Sequence, residues 1–348
     1  MKFEAYFPGQ DLAKHPECFC AASNLPVIKL TIFRSAAELE KLRPLWERLC
    51  RLTPITIFQQ FELNRLAAEL FAGREQPFLV TAEASYGAAI VPAVVRQSDG
   101  TIRLLGEELF DYRGFLQEGD AEVLRSALAA LAGLRKALMV IAMRPEEGEH
   151  VPEEMPLADF SAAPAIRVAE LPESEFSIKH LRLARNLRRL QRLGYEMQRY
   201  EGSQPGLLAH IYQLKAAQDP NSLFHDPLRV QFMARAAHLL PQHFEIFTLE
   251  CGRDMAAAVV TLRDGHVRRF YTGWFAPELS KHSPCLSLIY EVTRRSLAEG
   301  MDCDYMTGEQ PYKQRLATTS VPLRKLHASA EQLAALTETP VAELDLAS

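Results

Sequence analysis

Residues 268–295 read RRFYTGWFAPELSKHSPCLSLIYEVTRR, and the parsing of this stretch decides the fold. The residues up to Trp274 suit a strand, a loop runs through Pro277 and Lys281, and Ser283-Pro284 opens a long helix. Proline fits a first helical turn, because the N–H it lacks would have no intrahelical partner there. A helix start over Ser283, Pro284, Cys285, Leu286 and Ser287 presents free amide donors and the positive end of the helix dipole, which together favour a phosphate. The same corner also serves as a plain packing junction, so the motif alone leaves both readings open.

A second corner follows at residues 306–317, MTGEQPYKQRLA: the end of a strand, a turn at Gly308, and a short helix opened by Pro311. It crowds together Glu309, Tyr312, Lys313 and Arg315. Glu309 is a candidate general base for an amine or hydroxyl where its surroundings raise its pKa. Lys313 or Arg315 suits a substrate carboxylate or phosphate. In the plainer reading Glu309 complements the helix start, Tyr312 packs with its hydroxyl satisfied, and the two cations are solvated.

Outward from these corners the pattern repeats. PVIKLTIF reads as a strand, helices follow with Ser35 as N-cap and at residues 58–73, and strands follow at PFLVTAEA, AAIVPAVVRQ and TIRLLG. A helix at 120–136 and the strand ALMVIAM complete the set. The second half has the same order: strands AIRVAEL and YEMQRY, helices at 206–218 and 227–240, three strands between His243 and Phe275, the helix from Pro284, and the strand CDYM. This predicts a mixed α/β fold of two related units. The expected boundaries are an irregular arm at 1–26, a first domain at 27–150, an acidic, Pro-rich linker at 151–164, and a second domain at 165–348. The helix 176–194, FSIKHLRLARNLRRLQRLG, does not fit the repeat. It carries Lys179, Arg182, Arg185, Arg188, Arg189 and Arg192 opposite Ile178, Leu181, Leu187 and Leu190, which describes either a solvated basic face or a local anion site.

The chain has 348 residues, enough for two cores, and a formal net charge of −5 that argues against a nucleic-acid coat such as a DNA binder. Cys18, Cys20, Cys50, Cys251, Cys285 and Cys303 are scattered without zinc spacing and are read as reduced thiols, and no metal is expected. No apolar run is long enough to span a bilayer and no leader pattern opens the chain, so a cytoplasmic protein is expected. No P-loop, HExxH or Gly-x-Ser-x-Gly pattern stands in a supporting context. Asp111 and Tyr112, in LFDYRGFL, either point across a cleft between the units or form an aspartate-capped turn. His225 is either a base facing substrate or a structural histidine.

Laid without gaps on the acyl-CoA loop of GNAT acetyltransferases, Pro-Glu-x-Arg-Gly-x-Gly-x-Gly/Ala, the first stretch matches at Pro277 and Glu278 and along the apolar helix positions. Ser280 stands at the arginine, and Ser283 and Cys285 stand at two loop glycines. More widely, the chain resembles the tandem-GNAT branch labelled cellulose-biosynthesis-associated acetyltransferases, of CelD/BcsL type. Ser283-Pro284-Cys285 is similar to its SPG helix start, and Gly308-Glu309-x-Pro311-Tyr312-Lys313-x-Arg315 to its FDxGxGxxPYKxRxG segment. FQQFELNRL at 58–66, LFDYRGFL at 109–116 and the arginine-rich helix extend the resemblance over most of residues 27–327.

The resemblance implies two tandem GNAT-like domains, each a mostly antiparallel sheet flanked by helices, and acetyl-CoA or another acyl-CoA as co-substrate. Backbone amides at Thr272, Gly273 and Trp274 would hold the thioester, and those from Ser283 to Ser287 the diphosphate. Tyr312 falls at the position that protonates the departing thiolate. The acceptor, a small molecule or a polysaccharide-related one, would enter a cleft reached by Asp111, Tyr112, His225, Lys313 and Arg315. Two other readings remain: a Fem-type peptidyltransferase using aminoacyl-tRNA, with residues 176–194 as an RNA arm, and a catalytically silent GNAT-fold binding protein.

Overall fold

Sixteen strands organise the computed structural model, which describes residues 27–53, 55–338 and 344–346; the expected arm at 1–26 lies outside the described residues. The first half supplies β1 (Lys29–Phe33), β2 (Glu75–Pro77), β3 (Leu79–Ala84), β4 (Gly87–Val91), β5 (Ala93–Arg96), β6 (Ile102–Leu104), β7 (Leu116–Gly119) and β8 (Leu138–Met143). The second supplies β9 (Leu157–Ile166), β10 (Glu196–Glu201), β11 (Phe244–Cys251), β12 (Asp254–Asp264), β13 (Val267–Phe275), β14 (Asp302–Asp304) and β15 (Thr319–Ala328), and β16 (Leu344–Leu346) ends the set. They form a five-stranded sheet, β16-β1-β3-β4-β7, and an eleven-stranded one, β10-β11-β12-β13-β14-β9-β15-β8-β6-β5-β2. Helices flank both, giving a mixed α/β fold with mostly antiparallel pairing.

Proline explains how the first half feeds both sheets. The run AAIVPAVVRQ, expected as one strand, breaks at Pro92, whose missing N–H cannot continue a ladder; β4 pairs in the small sheet and β5 in the large one. The expected linker is corrected more sharply. Residues 157–166 form β9, a ten-residue strand between β14 and β15. Its Pro164 sits within a pairing whose register shifts nearby, and Ala163, Ala165 and Ile166 supply the buried positions that composition concealed. The second-half boundary also fails as a structural divide. β15 pairs with β9 on one side and β8 on the other, and Leu326, Ala328, Leu333 and Leu336 lie in the first half's core. β16 then runs parallel to β1.

Each half contains a parallel pair with a helix in the connection: β6 with β8, through β7 and then Ala121–Ala129, and β13 with β14 through Pro284–Ala298. The second helix buries Leu288, Val292, Ser296 and Leu297, spaced so that one face meets the sheet. Burial of each large aliphatic side chain contributes about 1.5–3 kcal/mol. The halves are further joined by Tyr112, whose hydroxyl donates to both Asp304 oxygens at 2.8 and 2.9 Å, and by the Ile57 amide donating to Asp264 Oδ2 at 3.0 Å.

The basic segment is two helices, not one: Glu173–Lys179 and Leu181–Arg192, separated at His180, whose φ of −114° and ψ of 30° leave the helical region. Leu187 and Leu190 are buried as expected, but Ile178 and Leu181, expected on the same apolar face, are exposed. Cys50, Cys251, Cys285 and Cys303 are free thiols. Among the described residues no helix is long and apolar enough to cross a membrane, and no group of three or more His, Cys, Asp or Glu could hold a metal ion.

Candidate functional site

β13 and β14 pair only from Val267–Arg269 to Asp302–Asp304. Then β14 stops while β13 runs on to Phe275, bonded to β12 on one side and open on the other. A cavity of about 570 Å³ fills the opening. Along one wall lie Thr272 and Gly273 of β13; along another, the helix start at Ser283, Pro284, Cys285 and Leu286; Tyr312 and Lys313 of the second corner complete it. These eight predicted residues are therefore brought together.

The helix start keeps a glycine-like backbone without glycine. Ser283 is left-handed at φ 48° and ψ 56°, and no side chain caps the helix. Its first-turn amides therefore have no intrahelical partner and face a cavity. The equivalent helix of the first half is closed: Asp120 caps it, accepting from the Glu122 amide at 2.9 Å. At the other former glycine position, the Cys285 thiol fills the gap beside Gly273, where a Cβ would stand 2.7 Å from its sulfur. The cavity passes this sulfur and still reaches Tyr312. Gly273→Ala is expected to destabilise the fold by about 1–3 kcal/mol through overpacking. Cys285→Gly in the same chain should recover part of this, so denaturant unfolding of the four-member cycle should show coupling of about 1 kcal/mol or more. Strict additivity would contradict the geometry.

The electrostatics of the lining are one-sided: among the described residues Lys215 and Lys313 line it, and no Asp or Glu does. Lys313 is buried, and its Nζ donates to the Thr307 carbonyl at 2.7 Å and the Met306 carbonyl at 3.3 Å, pinning the left-handed turn at Met306 (φ 64°). Burial lowers its pKa, opposed by the carboxylates of Asp111 and Asp304. Burial, then the adjacent Cys285, pushes the Tyr312 phenol up to about 12. Burial pushes the Cys285 thiol to about 12 as well.

The remaining predicted residues separate from this set. Glu309 and Arg315 are exposed and line no part of the cavity; Arg315 Nε donates to the Pro311 carbonyl at 3.2 Å. The turn before the helix thus leaves Glu309, the expected base, in solvent and apart from the cavity. Ser287 is one turn too far along: its amide enters the helix ladder to Ser283 O at 2.9 Å, and its hydroxyl approaches His282 O at 3.4 Å. Trp274 is buried in the core and does not line the cavity. His225 is exposed, its Nε2 3.1 Å from the Asp219 carbonyl oxygen, away from the cavity. Tyr112 is committed to Asp304. Asp111 does not line the cavity but is electrostatically coupled to Lys313 and Tyr271, which do; burial raises its pKa to about 6, with Lys313 opposing.

Sequence reasoning missed Lys215 and Gln218, on the helix Pro205–Gln218, and Gln310. Gln218 Nε2 donates to the Phe275 carbonyl at 3.2 Å, tying that helix to the open strand. Their i, i+3 spacing was the only local signal, and any surface helix carries such pairs.

The family description "Acetyltransferase (GNAT) domain" matches residues 179–314, which contain the open strand, the uncapped helix and Tyr312. No curated protein sequence matches this chain. Among solved structures, FemX aligns with a TM-score of 0.55 and 10% identity, over 85% of this chain and 98% of its own. L-PGS from Bacillus licheniformis aligns with a TM-score of 0.55 and 9% identity, over 85% and 93%. A tandem GNAT protein from the clavulanic acid biosynthesis pathway aligns with a TM-score of 0.50 and 11% identity, over 87% and 98%. At such identities the likeness is one of fold, and the fold is that of the GNAT acetyltransferases.

Proposed function

We propose that this chain transfers an acyl group from an acyl-CoA to an amine or hydroxyl acceptor in the cavity where β13 and β14 part. The observation that carries the reading is one continuous cavity running from an uncapped helix start to the Tyr312 phenol, lined among the described residues by two lysines and no carboxylate. An acyl-CoA supplies an acyl group already activated as a thioester, together with a diphosphate handle. The first-turn amides of the helix at Pro284 bind that handle, with Lys215 adding positive charge. The open edge of β13 at Thr272 and Gly273 orients the thioester against backbone amides, and alignment supplies a large share of the acceleration.

Tyr312 holds the proton that the departing sulfur needs. A phenol at about 12 is a weak acid in water, but burial sets the same value on the Cys285 thiol lining the same cavity. A sulfur leaving there meets desolvation too, which raises its basicity and favours its taking the proton. Because no carboxylate among the described residues lines the cavity, an amine acceptor attacks as its free base, the proton its nitrogen then loses replaces the one Tyr312 gives to sulfur, and the acceptor's own pKa sets the rising limb of the pH profile. The acceptor is a small molecule or a polysaccharide-related one.

Isothermal titration with CoA, acetyl-CoA and a longer acyl-CoA tests the reading. Binding in the roughly micromolar to millimolar range is expected. Absence of binding by all three at about millimolar concentration would remove the donor and leave a GNAT-fold protein without this activity.

A further inference from the structure

The helix Leu181–Arg192 carries a charge arrangement unlike the rest of the molecule, five arginines and no acid in a chain whose whole net charge is −5. At the angular step of an α-helix, Arg182, Arg185, Arg188, Arg189 and Arg192 share roughly 120° of arc, opposite the buried Leu187 and Leu190. All five are exposed. None has an ion pair, side-chain hydrogen bond or ring partner among the described residues, whereas Arg43, Arg74, Arg199, Arg229, Arg268 and Arg294 are each held by carboxylates. The nearest acidic side chains in sequence, Glu175 and Glu196, are exposed and form no ion pair with them. Five like charges without partners on one face repel one another, an arrangement suited to an external anion.

The apolar residues around this face identify the anion. Among the described residues six large hydrophobic side chains are exposed, and three of them border it: Ile178 at 70%, Leu181 at 48% and Leu193 at 53%. Leu181 lies within the arginine arc itself. A single-stranded RNA surface would offer aromatic rings for stacking, but the only aromatic side chain between 173 and 194 apart from His180 is Phe176, which is buried. Cations interleaved with aliphatic side chains on one exposed helical face instead match a bilayer interface, with guanidinium groups among phosphates and aliphatic groups entering the acyl boundary.

We infer that the Leu181–Arg192 helix docks the protein onto an anionic lipid surface, with Ile178, Leu181 and Leu193 inserted and the five arginines on lipid phosphates. The same helix packs against Pro284–Ala298 and touches the turn Pro277–His282, whose Ser280 lines the cavity. Docking therefore brings the cavity rim near the membrane. The inference rests on the exposed face and is independent of the transferase reading.

Flotation of the full chain with vesicles of phosphatidylcholine alone, and of phosphatidylcholine with phosphatidylglycerol, tests it. Flotation is expected only with the anionic vesicles and should weaken as salt is raised. Arg182→Gln/Arg185→Gln/Arg189→Gln/Arg192→Gln should lower partitioning by about tenfold or more. Ile178→Ser/Leu181→Ser/Leu193→Ser should lower it severalfold, with an unchanged circular dichroism spectrum. Absence of flotation of the wild-type chain on anionic vesicles at low salt overturns the inference. So does undiminished flotation of the folded serine variant, which would mean adsorption by charge alone. Binding of transfer RNA that is tighter than vesicle binding and is abolished by the glutamine substitutions would assign the face to RNA and also overturn it.

Discussion

Tyr312→Phe is expected to lower turnover by about 10²–10⁴-fold while leaving acyl-CoA affinity nearly unchanged. The phenol ring packs in the second half's core, and no hydrogen bond holds its hydroxyl among the described residues, so the substitution removes one oxygen at the cavity and little else. A proton donor acts on the leaving group only as the bond breaks, so its loss should appear in kcat and not in the dissociation constant. The comparison with Glu309→Gln is informative. Glu309 is exposed and outside the cavity, so its substitution should change turnover by less than about twofold. Stopped-flow or steady-state assays of both variants, with calorimetric affinities alongside, decide the matter. Equal turnover for wild type and Tyr312→Phe would remove the tyrosine from the chemistry, and a large loss in Glu309→Gln would show that the corner closes differently when substrate is present.

What marks the second half as the candidate site, and not the first, is a difference of one cap. Both halves place a helix before the second strand of a parallel pair, β8 in the first and β14 in the second. In the first, Asp120 supplies a carboxylate to its own helix start, so the Glu122 amide there is already satisfied. In the second, Ser283 is turned left-handed and caps nothing, leaving the first-turn amides open toward the cavity. The sequence distinguishes these two starts, since one reads Asp-Ala-Glu and the other Ser-Pro-Cys.

Local chemistry was legible and nonlocal pairing was not. Proline at a first turn marked the helices at Pro227, Pro284 and Pro311, because each fixes φ where a missing N–H does no harm. Runs such as MAAAVVTLR announced central strands through β-branched and alanine residues buried on both faces. By contrast, β9 hid inside an acidic, Pro-rich segment, and β15 carries Arg324, Lys325 and His327 among its apolar positions. Their role as the seam between halves depends on partners more than 100 residues away in the sequence, which no window reveals. At the corner, the residue types pointed to a site but not to which side chains face it. A single helical turn sends Lys313 inward to the Met306 and Thr307 carbonyls and Arg315 outward to solvent.

The strand that lines the cavity is anchored just before it opens, and Arg268→Met should show how strongly. Arg268 is fully buried on β13. Its Nε donates to Glu245 Oε2 at 2.8 Å, its Nη1 to Ser296 Oγ at 2.5 Å, and its Nη2 to Glu245 Oε1 and Glu299 Oε2 at 3.2 Å each. Removing the guanidinium leaves the buried Glu245 carboxylate with Arg199 as its remaining cation, which is expected to cost about 3–5 kcal/mol of unfolding free energy. Arg268→Met/Glu245→Leu should recover much of that loss, since replacing both charges by apolar groups avoids a stranded one. Burial opposes ionisation of Glu245, but the hydrogen bonds from Arg268 and Arg199 prevail and hold its pKa below the ordinary value. A carboxyl with a depressed folded pKa stabilises the protein above its unfolded pKa of about 4.3 and loses that contribution as pH falls through the folded value. The wild-type advantage over the double variant, measured by urea unfolding, should therefore shrink in acid. An advantage that stayed constant from neutral pH to about pH 3 would mean that Glu245 does not carry the charge assigned to it.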